Sequence, residues 1–197
     1  MWLGIALVLA GYLIGSVASA VVVCRVLGLP DPRGAGSHNP GATNVLRLGG
    51  KKAAAITLAA DVIKGALPVL AGKLLLVAPG ALAATALAAF LGHLYPVFFG
   101  FKGGKGVATG LGAVLALAWP VGLAMAVTWL AVAAVTRYSS LSALTAAALS
   151  PVYALLMAPV PAYIAAVCAM ALILVWTHRD NIQRLLAGTE TKIGAKR

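Results

Sequence analysis

Acidic residues are nearly missing from this chain. Four occur in 197 positions, Asp31, Asp61, Asp180 and Glu190, each in a different segment. Scattered carboxylates of this kind cannot assemble a two-metal centre, and no set of His and Cys at ligand spacing replaces them, so no metal site and no cofactor are expected. Cysteine is equally sparse. Cys24 closes one apolar run and Cys168 lies inside another, which excludes a disulfide framework and leaves two small packing residues. Charge as a whole is scarce: 10% of residues are charged and 62% are hydrophobic, with a mean hydropathy of +1.00. A soluble domain carries roughly 25% charged residues, so this composition cannot cover a water-facing surface. The length suits one domain, 1–197.

The charge that is present is basic, +11 net from fifteen Lys and Arg. Those residues sit between apolar runs and form no soluble basic face, which argues against nucleic-acid binding and for membrane topology. The apolar runs predict an all-α integral membrane bundle of seven short transmembrane helices at about 2–24, 54–77, 81–99, 106–119, 121–136, 141–157 and 160–176. The first run lacks a basic leader and is read as an uncleaved span. Fusing the fourth and fifth runs is the alternative, and charge decides against it. With seven spans, Arg25, Arg33, Arg47, Lys51, Lys52, Lys102, Lys105, Arg137, Arg179, Arg184, Lys192, Lys196 and Arg197 all fall on one side, thirteen of the fifteen basic residues. The breaks around Pro79-Gly80, Trp119-Pro120 and Met157 to Pro161 hold none. The positive-inside rule then places the N-terminus outside and the C-terminus in the cytoplasm. Gly11, Gly15 and Ser19, like Gly106 and Gly110, recur at four-residue spacing and suit close helix packing.

Polar residues gather in the breaks assigned to the cytoplasm. The first, Asp31 to Lys52, reads DPRGAGSHNPGATNVLRLGGKK. Its Gly, Asn and Ser residues favour turns with exposed N–H groups that can cradle an anion. Ser37, Asn39, Thr43 and Asn44 add polar contacts, and Arg47 offers a bidentate phosphate contact. The second, FKGGKGVATG (101–110), leaves the backbone bare at Gly103, Gly104 and Gly106 and places Lys105 before an apolar helix, a natural phosphate seat. It is not the nucleotide-binding loop, because Phe99 and Gly106 stand where that pattern needs Gly and Ser or Thr. The third holds Ser139 and Ser140, candidate helix caps. In the tail, His178, Asn181 and Arg184 recur every three residues and would share one face of a continuing helix. Within the second span, Asp61 and Lys64 are spaced to pair as structural support for the site. Lys73 is read as snorkelling and His93 as a hydrogen-bonded packing residue.

Several chemistries are excluded. No Ser has the GxSxG surroundings of a hydrolase nucleophile. Thr43, Phe98 and Gln183 stand five residues after the three histidines, so the His-to-Asp acyltransferase pair is absent. Donors and cations beside lipid suit anionic phosphate substrates that arrive already activated, with catalysis by positioning and charge stabilisation. A transporter of a phosphorylated anion is the reading from another class, but such proteins usually show repeats and a midplane site. A purely structural membrane subunit would not need three polar loops.

GSHNPGATNVLR (36–47), GHLYPVFFGFKGGKGVATG (92–110) and HRDNIQRLLAGTE (178–190) together resemble the three motifs of the bacterial acyl-phosphate:glycerol-3-phosphate acyltransferases, the PlsY family. The likeness runs from Leu13 to Gly194, and His38 departs from it where Gly is usual. The resemblance implies seven helices in the inner membrane with all motifs cytoplasmic. It implies acyl phosphate as donor to the 1-position of sn-glycerol 3-phosphate, with lysophosphatidic acid and phosphate as products; membrane lipids are the expected surroundings and a monomer the expected working unit. It assigns Ser37, Thr43 and Arg47 to the substrate site, and Gly103, Gly104, Lys105 and Gly106 to a phosphate loop. His178 and Asn181 would contact glycerol 3-phosphate, Glu190 would hold the tail, and Ser140 is a further substrate-site candidate. The general base is open between His178 and the phosphate of the donor.

Overall fold

In hydrocarbon, an apolar run satisfies its backbone by coiling on itself. The chain does so along nearly its whole length in a computed structural model that describes residues 2–195. The described residues form α1 (Trp2–Gly15), α2 (Ser19–Val26), α3 (Ala42–Leu74), α4 (Pro79–Leu94), a 3-10 turn (Val97–Phe99), α5 (Val107–Leu117), α6 (Trp119–Thr136), α7 (Ser139–Met157), α8 (Pro161–Thr177) and α9 (Arg179–Leu186). The chain is an all-α integral membrane protein. Its α3, α6 and α7, and α4 with the turn that follows it, are each long and apolar enough to cross a membrane. The bent pairs α1–α2 and α8–α9 qualify when taken together. Leu9, Leu67, Leu130, Val135, Leu156 and Leu172 lie exposed on the outside of the bundle, as lipid contact requires.

Each of the seven predicted runs coincides with helix, but three boundaries differ. The first run is two helices, α1 and α2, bent by 41°. The first polar loop is helical from Ala42, and α3 runs through it into the second span with one non-helical residue, Gly50 (φ 74°). The tail does not continue α8 straight, because α9 turns away by 58°. The fourth and fifth runs do separate, at Ala118 (φ −149°), with Pro120 in the first turn of α6. α5 has 11 residues and rises only about 16 Å, well short of a hydrocarbon core of about 30 Å.

The core lies where α3, α4, α5, α7 and α8 meet, around Phe90, Val69, Val114 and Leu117. Close backbone approach fixes two helix pairs. A Cβ on Gly15 would overlap the Ala89 carbonyl, and one on Gly92 the Tyr12 carbonyl, so α1 and α4 touch backbone to backbone. Gly65 and Gly112 do the same for α3 and α5, so the small residues at that crossing are Gly65 and Gly112 rather than Gly106 and Gly110, which face the Phe90 ring.

Candidate functional site

The first polar loop is folded over the start of α3 by one buried side chain. Asn44 Nδ2 donates to the carbonyls of Pro32 (2.9 Å) and Ala35 (3.0 Å), and its Oδ1 accepts the Ser37 N–H at 2.9 Å. The Asn44 amide is therefore engaged in shaping residues 32–37, which turns Ser37 outward. His38 follows with φ 57°, a left-handed conformation that glycine adopts without steric penalty. Its Nδ1 lies 3.4 Å from the Arg33 carbonyl. Thr43 and Arg47 lie one turn apart on the first part of α3, both half-buried.

The glycine loop divides in two. Gly103 and Gly104 donate their N–H groups to the Leu94 and His93 carbonyls, both at 3.2 Å, and so tie the loop to the end of α4. Gly106 caps α5 in a left-handed conformation (φ 86°). The N–H groups of Val107, Ala108 and Thr109 have no intrahelical acceptor, as at any helix start. The first turn of α5 thus presents free N–H donors with Lys105 beside them, and the first two glycines moor the loop.

The tail brings the remaining candidates to the same place. Lys105 Nζ donates to Asn181 Oδ1. Asn181 Nδ2 donates to Glu190 Oε1 at 2.7 Å, Ser140 Oγ donates to the same oxygen at 2.7 Å, and Arg184 Nε reaches Oε2 at 2.6 Å. Thr177 Oγ1 lies 3.3 Å from the Lys105 carbonyl. Thr43 Oγ1 and Ser139 Oγ are 3.2 Å apart, and the Pro40 carbonyl abuts Gly104. These contacts close a ring: α3 to α7, α7 to the tail, the tail to the glycine loop, and the glycine loop back to Pro40. All four polar segments singled out in the sequence converge at one end of the bundle.

Within the ring, Ser140 and Asn181 are both committed to Glu190, and Glu190 clasps the tail. Burial pushes the Glu190 carboxyl up, but hydrogen bonds from Ser140, Asn181 and Arg184 outweigh it and hold its pKa below the usual value. Burial, and next the Arg184 guanidinium, draws the Lys105 ammonium below its ordinary range. His178 stands one residue past the end of α8. Burial brings its pKa down to about 4, against a hydrogen bond to Leu174 and with help from Lys105. The imidazole is therefore neutral at neutral pH. Its Nδ1 lies 2.9 Å from the Leu174 carbonyl, so Nδ1 carries the proton and Nε2 is left bare. One contributor, Thr177, escaped the sequence reading, and a second, Arg184, was read without its role. Thr177 carried no signal of its own, whereas Arg184, spaced three residues from Asn181, was visible on the shared face without a partner.

A narrow apolar cleft runs along α5 from Val107, lined also by Phe90, Leu111, Val114, Met170 and Leu174. A polar ring of donors and cations beside apolar side chains suits a membrane enzyme whose substrates are part polar and part lipid. The comparisons with known proteins agree. The glycerol-3-phosphate acyltransferase family profile matches residues 5–188. Glycerol-3-phosphate acyltransferases of Methylococcus capsulatus (59% identical, 94% of each chain) and Thioalkalivibrio sulfidiphilus (59% identical, 100% of this chain and 97% of that one) are similar over their lengths. Among solved structures, PlsY (YgiH), an integral membrane glycerol 3-phosphate acyltransferase, superposes in its glycerol 3-phosphate form with a TM-score of 0.92 at 39% identity, covering 97% of this chain and 96% of that one. The chain belongs to the glycerol-3-phosphate acyltransferase family, and it is an acyltransferase.

Proposed function

We propose that the chain transfers a fatty acyl group from acyl phosphate to the 1-hydroxyl of sn-glycerol 3-phosphate, releasing lysophosphatidic acid and inorganic phosphate. The reading that accompanies it has seven crossings, an outside N-terminus and a ring that faces the cytoplasm at the bacterial inner membrane, with the monomer as the working unit. The observation that carries the chemistry is the stacking of an anion seat, Lys105 and the start of α5, on an apolar cleft that begins at Val107. A donor with a phosphate on an apolar chain would set its head at Lys105 and run its chain along the apolar side chains that start at Val107. The second phosphate falls to Arg47, with Ser37, Asn39 and Thr43 as neighbouring polar groups.

In this scheme the glycerol 1-hydroxyl oxygen attacks the acyl carbonyl carbon, the bond from that carbon to the phosphate oxygen breaks, and the hydroxyl proton leaves with the phosphate. Lys105 and the first N–H groups of α5 stabilise the charge that grows on the leaving group. His178 is a poor proton acceptor at a pKa of about 4, whereas a phosphate monoester's second pKa is about 6. The proton therefore goes to the departing phosphate, and His178 orients the hydroxyl through its bare Nε2. The test is to incubate purified protein with palmitoyl phosphate and glycerol 3-phosphate in a chelator and to assay lysophosphatidic acid. Turnover is expected there and not with palmitoyl-CoA. Turnover with the thioester, or dependence on a divalent metal, would sink the scheme.

A further inference from the structure

Three ionisable side chains are buried together between α3 and α4: Asp61, Lys64 and His93. Lys64 pairs with Asp61 at 2.8 Å and donates to the Val17 carbonyl at 2.6 Å. Val17 lies in the break between α1 and α2, where helix carbonyls lose their partners, so Lys64 serves as a cap for that break. His93 points elsewhere. Its Nδ1 faces Asp61 Oδ1 at 3.5 Å, from α4 across to α3. The opposite edge of the ring is pressed against the glycine loop. A Cβ placed on Gly104 would overlap His93 Nε2 and meet the Pro40 carbonyl at 3.0 Å. Gly104 meanwhile donates its N–H to the backbone carbonyl of the same histidine at 3.2 Å. One residue thus grips the loop from two sides, immediately before Lys105.

We infer that His93, oriented by Asp61, is a positioning residue for the reaction: its imidazole sets the height of the glycine loop, and through it the aim of Lys105 and the first turn of α5. The inference rests on the phosphate seat proposed above. A histidine that merely filled volume would have no need of a carboxylate on one edge and a side-chain-free residue on the other. Here a buried carboxylate faces Nδ1 at 3.5 Å, and a residue without a side chain meets the Nε2 edge. A phosphate contact depends on donors held to within about 0.5 Å, so a loop released from the ring should bind phosphate poorly even though no substrate contact has been removed.

Full-length protein in detergent tests this with four variants: His93→Ala, His93→Gln, His93→Asn and Gly104→Ala. Steady-state constants for both substrates are measured alongside Tm. His93→Ala and Gly104→Ala should each raise KM for at least one phosphate substrate about tenfold or more, with kcat changed less than about threefold. His93→Gln places its terminal group near the position of Nε2 and should bring KM back within about threefold of the wild type. His93→Asn reaches only the Asp61 side and should not. The double variant His93→Ala with Gly104→Ala should be milder than the product of the singles, because the added methyl then occupies the space the ring has left. If His93→Ala fails to fold, the Gln and Asn pair and Gly104→Ala still decide. The inference is overturned if His93→Ala and Gly104→Ala leave both KM values within about twofold of the wild type, or if Asn rescues as well as Gln. Wild-type turnover in the same assay separates the two readings, since an inactive wild type would overturn the reaction itself and the inference built on it.

Discussion

The Lys105 ammonium donates to the side-chain oxygen of Asn181, a residue 76 positions away on the first turn of α9. That amide also donates to Glu190, so it is held between a cation and an anion and its orientation is fixed. The consequence is that Lys105 is restrained in advance, which would lower the entropy lost in binding the phosphate proposed for it.

Arg47 and Lys105 are assigned the two substrate phosphates, and loss of a charge-assisted contact to a desolvated phosphate costs about 1.5–3 kcal/mol, or roughly 10- to 150-fold. Arg47→Ala and Lys105→Ala should each lower kcat/KM by at least that factor. Both proteins should remain monodisperse in detergent, since neither residue lies in the core. Near-normal activity per folded molecule in either variant would remove that residue from the site.

Glu190 receives Ser140, Asn181 and Arg184, which makes it the clasp of the ring. Glu190→Ala leaves three donors without their acceptor and should lower Tm in detergent and expose the tail to protease. Glu190→Gln keeps an oxygen for Ser140 or Asn181 and loses the ion pair with Arg184, so its defect should be smaller. Equal defects in Ala and Gln would show that only the charge matters, and an unchanged tail in both would remove the clasp.

Much of this architecture was legible because lipid simplifies the problem: an apolar run must be a helix, and charge marks the breaks. The position of every run, and the gathering of the four polar segments, could therefore be read from residue order. What could not be read depends on single contacts. Asn44 looks like a ligand in sequence and turns out to hold the loop through three backbone groups, and α3 extends back to Ala42 beneath that clasp. Ser140 sits in a short polar break and Asn181 in a motif, yet both have Glu190 as partner, 50 and 9 residues away. His93 read as packing because nothing in its own segment shows that Asp61 and Gly104 flank its ring.

His178 gives a pH signature. Its pKa in the folded protein is about 4, while the unfolded value is about 6.5. Between these values the unfolded chain binds the proton and the native one does not, so stability is complete above about pH 6.5 and declines as pH falls towards 4. The carboxyl of Glu190, also lowered, acts in the same direction at the acid end. Tm in detergent should therefore fall from pH 7 to pH 4, and His178→Gln should flatten the upper part of that decline. An imidazole carbon resonance of His178 that titrates near 6.5 in the folded protein would contradict the neutral assignment.

The orientation of the ring is open to direct labelling. In a background lacking Cys24 and Cys168, Lys102→Cys and Thr189→Cys should react only with thiol reagents that cross the membrane. Gly80→Cys, where a side chain would meet open space at the opposite end of the bundle, should react with an impermeant reagent from outside. Reversal of that pattern would invert the topology, and labelling of all three from outside would break the seven-span reading.

Asp61 and Lys64 test whether the buried charges under the site are scaffold. Asp61→Asn keeps the oxygen that both Lys64 and His93 face but removes its charge, so the buried Lys64 ammonium is left with neutral partners only, that oxygen and the Val17 carbonyl. Stranding one partner of a buried pair costs about 3–5 kcal/mol, so Tm should fall clearly. Adding Lys64→Met removes the stranded charge, and although the Val17 carbonyl then loses its donor, the double variant should recover part of the loss. Activity per folded molecule should stay within about threefold of the wild type in both, because the asparagine still offers His93 the oxygen that orients its ring and the glycine loop keeps its height. The opposite outcome is equally readable. If Asp61→Asn is fully folded and stable yet inactive, while Arg47→Ala and Lys105→Ala still turn over, the buried pair belongs to the chemistry and the basic residues of the ring belong to its frame.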